Sequence, residues 1–186
     1  MRPFETPVIE TERLLLRGHS LGDLGPMLVM WTDPEVTRFI GGKPLTRDEV
    51  WSRLTRYIGH WAMLGYGYWA VEEKTSGAYI GDIGIADFKR DLDPPLDGRP
   101  EVGWSLTPAA HGRGYATEAV NAAIAWGEVH FEHARMVCMI SPDNTPSIRV
   151  AEKCGFRPYA QVIYKDRPNV LFERDAPPLG ELSRSD

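Results

Sequence analysis

Apolar positions recur along the chain with two different periods, and together these periods predict a mixed α/β protein. Short apolar runs flanked by polar or glycine residues are typical of strands, and longer segments with apolar residues three or four positions apart are typical of helices. The predicted strands cover residues 14–17, 68–72, 79–88, 101–106, 136–140, 160–164 and 169–173. Residues 89–100 hold three prolines and three aspartates without an apolar period, which predicts a surface loop.

Four helices are predicted from the longer apolar period. They cover about 21–31, 46–64, 116–131 and 146–154. Ser20 is predicted to cap the first helix, Thr46 with Glu49 forms a capping-box pattern for the second, and Thr145 and Gly155 bound the fourth. The order β-α-α-β-β-β-α-β-α-β-β contains no repeat or domain boundary, so we expect one mixed sheet with helices on both faces.

The composition is that of an ordinary globular domain. Of the 186 residues, 42% are hydrophobic and 25% are charged, which suits a single domain with its own core. A net charge of −5 gives no support for binding nucleic acid or a membrane surface and weakly favours a cationic or neutral partner.

Cys138 and Cys154 lie in apolar segments and the five histidines lack ligand spacing, so we expect reduced core cysteines and no metal. The chain shows no signal peptide or membrane span, and we expect a cytoplasmic protein.

A glycine-punctuated run at 111–116 lies between a predicted strand and a long predicted helix. Its sequence is His-Gly-Arg-Gly-Tyr-Ala. Two glycines allow a sharp turn close to a ligand, and the helix that begins here points unpaired N–H groups and its positive dipole end at the same place. No Gly-Lys-Ser/Thr follows, which argues against a Walker-type loop. The run therefore predicts an anion site that suits a phosphate.

Four ordered blocks of sequence resemble the GCN5-related N-acetyltransferases (GNAT), in the branch of the ribosomal-protein acetyltransferases RimJ and RimL. The blocks are 11–17 (TERLLLR), 101–104 (EVGW), 112–119 (GRGYATEA) and 144–156 (NTPSIRVAEKCGF). The resemblance runs from about 9 to 174 and implies a mostly antiparallel sheet of about seven strands with one splayed strand pair. It also implies acetyl transfer from acetyl-CoA to an amine, by a domain over 1–175. The composition of 176–186, which is Pro, Gly, Ser and charged residues, predicts a flexible tail after this domain.

The resemblance further implies where acetyl-CoA binds. The pantetheine arm enters between the strands at 101–106 and 136–140, and the backbone amides of the glycine loop hold the pyrophosphate. The implied cofactor contacts are Trp104, Ser105, Leu106, His111, Gly112, Arg113, Gly114, Tyr115, Ala116, Asn144 and Ser147. His111 stands where the family usually has Gln or Arg, and Arg113 either pairs with a phosphate or points to solvent. Asn144 either contacts the arm or only makes an Asx turn.

Aminolysis of a thioester needs a proton acceptor for the amine and a proton donor for the leaving thiolate. Many family members carry a tyrosine donor where this chain has Ala151. Ser147, in the first turn of the same helix, is the candidate acid, and its alternative role is that of a helix-start serine. Glu101 is the candidate base, because strand alternation places it on one face with Gly103 and Ser105 beside the cofactor.

Asp82 and Asp87 compete with Glu101 for the role of base, directly or through a water.

Five aromatic residues lie in or near the segments that form the acceptor side in the family: Trp31, Trp61, Tyr66, Tyr68 and Trp69. Most are expected in the core, with the tyrosines as exceptions. The sequence thus predicts an N-acetyltransferase, monomeric or homodimeric, whose acceptor is a primary amine on a protein N-terminus or a small molecule. The alternative is an inactive acyl-CoA-binding protein, suggested by Ala151 and His111.

Overall fold

A single twisted sheet organises the chain in the computed structural model, which describes residues 5–96, 98–131 and 135–175. The strands of this part are β1 (Ile9–Glu10), β2 (Leu14–Arg17), β3 (Tyr68–Glu73), β4 (Ala78–Ala86), β5 (Glu101–Leu106), β6 (Met136–Ile140), β7 (Arg157–Tyr164) and β8 (Arg167–Arg174). Their spatial order is β1-β2-β3-β4-β5-β6-β8-β7. All neighbours are antiparallel except β5 and β6, which are parallel.

Five α-helices flank this sheet within the described ranges. They are α1 (Leu24–Trp31), α2 (Pro34–Thr37), α3 (Arg47–Leu64), α4 (Tyr115–His130) and α5 (Thr145–Lys153). Helix α4 covers one face of the sheet above a cluster that includes Val120, Ile85 and Val102. Helices α1 and α3 cover the opposite face, where Tyr57 and Tyr68 belong to a second cluster. The mixed sheet with helices on both faces is therefore confirmed.

The predicted elements recur with local differences. One is the four-residue helix α2, which follows the Asp33 cap and is not among the four predicted helices. The two-residue strand β1 raises the count to eight, and a segment this short has no apolar period to reveal it. The first predicted helix begins as a 3-10 turn over Leu21–Asp23, because the Asp23 carboxylate accepts the Ser20 N–H at 2.7 Å and closes a tight turn. The prediction that Thr145 caps α5 is wrong, since Asn144 is the N-cap and its Oδ1 accepts the Ser147 N–H at 3.2 Å. The predicted tail at 176–186 lies outside the described residues.

The first sequence block is anchored to the start of α4 by one carboxylate. Glu118 accepts hydrogen bonds from the Thr11 hydroxyl at 2.6 Å and from the Arg13 backbone at 2.9 Å. The Arg13 guanidinium donates to the other Glu118 oxygen at 2.7 Å and 2.6 Å. Two of the blocks separated by about a hundred residues are thus held together at the glycine loop.

We expect the Glu118→Gln variant to unfold with a free energy about 1–3 kcal/mol lower at neutral pH, because one charged acceptor serves several donors. Urea denaturation measures this difference. Glu152→Gln, on the exposed side of α5, is the matched control and should stay within about 0.5 kcal/mol of the parent chain.

The same comparison has an expected pH dependence. Burial by itself raises the pKa of Glu118, but the hydrogen bonds from Thr11 and Arg13 outweigh it and lower the pKa. A lowered folded-state pKa stabilises the fold above the unfolded value of about 4.3, and this stabilisation disappears as pH falls through the folded-state pKa. The gap between parent and Glu118→Gln should therefore shrink in acid; a gap that widened would contradict the assignment.

Candidate active site

Strands β5 and β6 are paired at one register position only. Glu101 lies opposite Val137, and the Val137 N–H donates to the Pro100 carbonyl at 3.0 Å. Beyond this point the strands separate and a cleft of about 1380 Å³ opens, with residues 102–105 on one wall and 138–141 on the other. The splayed strand pair is thereby confirmed, and its open backbone edges form the floor of the candidate site.

The cleft brings together about half of the residues predicted for the site. Those in its wall are Glu101, Trp104, Ser105, Asn144 and Ser147, together with Asp87, Trp31 and Tyr68. Leu106 is instead buried in the cluster beneath α4. The same cluster contains or contacts Trp61, Tyr66 and Trp69. Of the two tyrosines expected outside the core, Tyr68 therefore lines the cleft and Tyr66 packs against the core.

The glycine loop lies outside the cleft wall and has the backbone geometry of an anion site. Gly112 and Gly114 have φ of +71° and +81°, a region that L-residues disfavour. Gly114 is the N-cap of α4, and the first hydrogen bond of the helix runs from Glu118 N–H to the Gly114 carbonyl. The first N–H groups of a helix lack an intrahelical acceptor, so those at the start of α4 are available to an anion.

Two side chains of this loop already have protein partners. The His111 Nε2 lies 3.0 Å from the Leu106 carbonyl oxygen, and its Nδ1 lies 3.6 Å from Glu35. Arg113 forms an ion pair with Glu73 at 2.8 Å. The side chains of His111 and Arg113 are therefore engaged within the protein, whereas the backbone amides at the start of α4 lack intrahelical acceptors.

Helix α5 supplies the second edge of the site. The cap by Asn144 fixes the first turn, which places Ser147 half-buried in the cleft wall. Ala151, one turn later, is completely buried and carries no polar group. Of the hydroxyl-bearing residues on this helix, Ser147 is therefore the one that lines the cleft.

The three candidate carboxylates lie in different surroundings. Glu101 is buried, and both of its oxygens accept hydrogen bonds from Arg90, at 2.7 Å and 2.9 Å. Asp82 is fully buried beneath α1 and accepts hydrogen bonds from Trp31 and Tyr79, with His19 also at 2.8 Å. Since Asp82 is absent from the cleft wall, Glu101 and Asp87 are the two of these three carboxylates with access to the cleft.

Asp87 carries its own counter-ion. Burial opposes ionisation of its carboxyl group, but hydrogen bonds from the Lys89 side chain and backbone outweigh burial and lower the pKa of Asp87. Arg90 was missed by sequence reasoning because it lies in a segment without apolar period that reads as a surface loop. The only signal in the sequence for this pairing was the position of Arg90, 11 residues before Glu101.

Tyr68 reaches the centre of the splayed strand across two glycines. Gly84 and Gly103 are register partners on β4 and β5, and a Cβ at Gly103 would lie 2.0 Å from the Tyr68 hydroxyl oxygen. The Tyr68 ring stacks on Tyr57, with ring centroids 4.4 Å apart. Burial, the largest cause, raises the pKa of Tyr68 well above its usual value, so its hydroxyl keeps its proton at neutral pH. Val102 packs on the opposite face of the sheet. The prediction that Gly103 and Val102 lie on opposite faces of β5 is therefore confirmed.

Comparisons with known proteins agree with this geometry. A family model described as "Acetyltransferase (GNAT) domain" matches residues 13–157. The protein YkkB of Bacillus subtilis is 30% identical over 171 residues, which cover 88% of this chain and 93% of YkkB. A solved GNAT-family acetyltransferase of Bordetella pertussis is 31% identical with a TM-score of 0.80, covering 91% of this chain and 99% of that one.

A more distant structure shares the fold. RimL, a ribosomal L7/L12 α-N-protein acetyltransferase solved in complex with coenzyme A, is 14% identical with a TM-score of 0.75, covering 91% of this chain and 98% of that one. The chain belongs to the GNAT family and has RimL-like structural relatives. It is an acetyl-CoA-dependent acetyltransferase that acts on amines.

Among the described residues, no helix is long and apolar enough to cross a membrane.

We expect Gly114→Ala to raise the dissociation constant for acetyl-CoA by about tenfold. The left-handed conformation costs an L-residue about 1–2 kcal/mol, so the free loop relaxes and binding must restore it. Isothermal titration calorimetry measures this change. Gly77→Ala is the matched control, since Gly77 also has a positive φ, of +67°, but lies in the β3–β4 turn.

His111→Gln should leave that dissociation constant within about twofold of the parent value, since the ring already contacts Leu106 and Glu35. The same titrations provide the measurement. A tenfold weakening would show that the imidazole itself contributes to holding the phosphates.

Proposed function

We propose that this protein transfers an acetyl group from acetyl-CoA to a primary amine, on a protein N-terminus or a small molecule, by direct attack of the amine. The observation that carries the proposal is the cleft between β5 and β6, which begins at Glu101 and has Ser147 in its wall. RimL is named as acting on the α-amine of a ribosomal protein, which supports an N-terminal acceptor as one of the two classes.

The residues present fit coenzyme A. The open edge of β5 at Trp104, Ser105 and Leu106 would hydrogen-bond the pantetheine arm, with Asn144 on the opposite side. The backbone amides of 112–116 would hold the pyrophosphate, because two left-handed glycines and a helix N-terminus converge there. When bound, acetyl-CoA supplies the activated acetyl group as a thioester.

The transfer requires two proton movements that the cleft can provide. The amine nitrogen forms a bond to the acetyl carbonyl carbon, the carbon–sulfur bond breaks, and the products are an amide and the free thiol. Glu101, directly or through a water, is proposed to accept the proton that the amine loses. Arg90 balances the carboxylate charge in this buried position.

Ser147 is proposed to donate a proton or hydrogen bond to the thiolate that leaves. Tyr68 offers a second hydroxyl at Gly103, which keeps its proton because burial raises the pKa of its phenol. This hydroxyl is placed to donate a hydrogen bond to the negative charge that develops on the acetyl oxygen or the sulfur. It offsets the missing tyrosine at Ala151.

A second candidate function is an acyl-CoA-binding protein without turnover. Two observations favour it: both Glu101 oxygens are occupied by Arg90, and Ala151 carries no hydroxyl. Such a protein would bind acetyl-CoA with the same loop and strand. It would release no thiol with any amine.

Incubation with acetyl-CoA and a panel of amines and N-terminal peptides, with free thiol and acetylated product measured together, distinguishes the two. We expect thiol release that matches product formation. Glu101→Gln and Ser147→Ala should each lower kcat by about 10²-fold or more, as acid–base catalysis contributes at least that much. Tyr68→Phe should lower kcat by about tenfold or more through loss of one donor.

The matched controls are Glu12→Gln and Ser52→Ala, both at exposed positions away from the cleft, and both should keep the parent kcat. Acetyl-CoA binding without thiol release across the whole panel would favour the non-catalytic function. Unchanged turnover in Glu101→Gln and Ser147→Ala would remove the two assigned roles while leaving the activity.

A further inference from the structure

The cleft has a charge opposite to that of the whole chain. The protein carries a net charge of −5, yet eight Lys and Arg side chains and four Asp and Glu side chains line the cleft. The net charge weakly favoured a cationic acceptor. The local distribution favours an anionic one, because charges within a cleft act at short range on whatever binds there.

Most of the cleft carboxylates are already matched with a cation. Glu101 is paired with Arg90 and Asp87 with Lys89, at distances of 2.5–2.9 Å. Glu49 lies 3.8 Å from Lys43. Two arginines of α3, Arg53 and Arg56, form no ion pair with a carboxylate in the part of the chain that the structure describes.

Arg53 is held in place by an aromatic ring and a hydroxyl, with no carboxylate in ion-pair contact among the described residues. Its guanidinium carbon lies 3.8 Å from the centroid of the Trp31 ring, and one Nη donates to the Tyr57 hydroxyl at 3.1 Å. Its Nε is buried without a hydrogen-bond partner among the described residues. An unpaired buried donor on a cation is costly, and an anion in the cleft would remove that cost.

Arg56 and His60 continue the same stripe of α3 along the cleft. Burial, and then the nearby charge of Arg53, lower the pKa of Arg56, so the two like charges lie close together on α3. Burial and Arg56 lower the pKa of His60, so its ring is neutral at neutral pH. The positive charge of this stripe therefore comes from the two arginines.

The position of Arg53 suits an acceptor rather than the phosphates of the cofactor. Contacts run from Arg53 to Tyr57, from Tyr57 to the stacked Tyr68, and from Tyr68 to Gly103 on the splayed strand. This path lies on the sheet face covered by α1 and α3, whereas the glycine loop begins α4 on the opposite face. Arg53 is thus separated from the proposed transfer point by two tyrosine rings.

We propose that the acceptor is an amine that carries an acidic group, a carboxylate or a phosphate, and that Arg53 and Arg56 bind this group. The inference rests on the proposed acetyl transfer and narrows its acceptor class. The acidic group lies at Arg53 with Trp31 beneath it, and the amine extends along Tyr68 towards Gly103. The planar guanidinium can donate two parallel hydrogen bonds to either anion.

The test uses matched acceptors that differ only in the acidic group. A series of amino acids with one to five carbons between amine and carboxylate is compared with the corresponding carboxamides, and O-phosphoethanolamine is compared with ethanolamine. For the pair of best length we expect kcat/KM to be at least about tenfold higher for the acid. The carboxylate and phosphate arms identify which anion the site takes.

Arg53→Gln should bring the ratio of acid to amide close to one, by raising KM for the acid and leaving the amide unchanged. Arg56→Gln should also lower the ratio of acid to amide. It provides the same test if Arg53→Gln does not fold. Arg53→Lys should retain part of the preference for the acid, because lysine keeps the positive charge but cannot donate two parallel hydrogen bonds. Arg47→Gln is the control, since Arg47 is exposed on α3 and outside the cleft wall.

Calorimetric titration of the same acids and amides into the CoA-saturated protein measures binding without turnover. Tighter binding of the acid that is lost in Arg53→Gln would support the anion site even if no amine is acetylated, in which case the proposed transfer alone fails. Equal binding and equal kcat/KM for acid and amide would overturn the anion site while leaving the transfer intact.

Discussion

The parallel contact between β5 and β6 is the constraint on which the site depends. These strands meet at Glu101 and Val137 and then separate, so a sheet that is otherwise fully paired opens a cleft in its middle. Parallel neighbours cannot be joined by a tight turn, and α4 provides the long connection between them. The helix therefore has to begin where β5 ends, which places its N-terminus and the glycine loop beside the cleft. One topological feature thus positions both ends of the proposed cofactor site.

Ion pairs hold the N-terminal segment in place and neutralise most of the carboxylates of the cleft. Arg17 with Asp23 and Glu72, and Arg13 with Glu118, tie the N-terminal segment to the sheet and to α4. Within the cleft, Arg90 and Lys89 are matched with Glu101 and Asp87. Buried charges are tolerated when they are paired and hydrogen-bonded. Against this background, Arg53 of α3, which is held by Trp31 and Tyr57 with no carboxylate in ion-pair contact among the described residues, is the cleft cation that the proposed anion would pair.

Small residues have a specific purpose at the centre of the sheet. Gly84 and Gly103 leave room for the Tyr68 ring to lie across β4 and β5, because a Cβ at either position would collide with it. The ring carries the hydroxyl into the cleft and stacks on Tyr57, which in turn accepts a hydrogen bond from Arg53. The proposed transfer point and the proposed anion site are thus connected through two stacked rings, and both belong to one packed layer.

The sequence by itself determined the order of the elements, the sheet with helices on both faces, the anion geometry of 111–116 and the family. These features follow from apolar periods, caps and glycine positions, which act between residues close in the chain. The sequence also placed Glu101 and Ser147 on the elements that form the cleft. Only the tertiary structure decided which charges are paired. It encloses Asp82 beneath α1, pairs Arg90 with Glu101, and gives Arg53 no carboxylate partner within the described ranges. Such pairing depends on side-chain distances across elements far apart in the chain, and no local pattern encodes those distances.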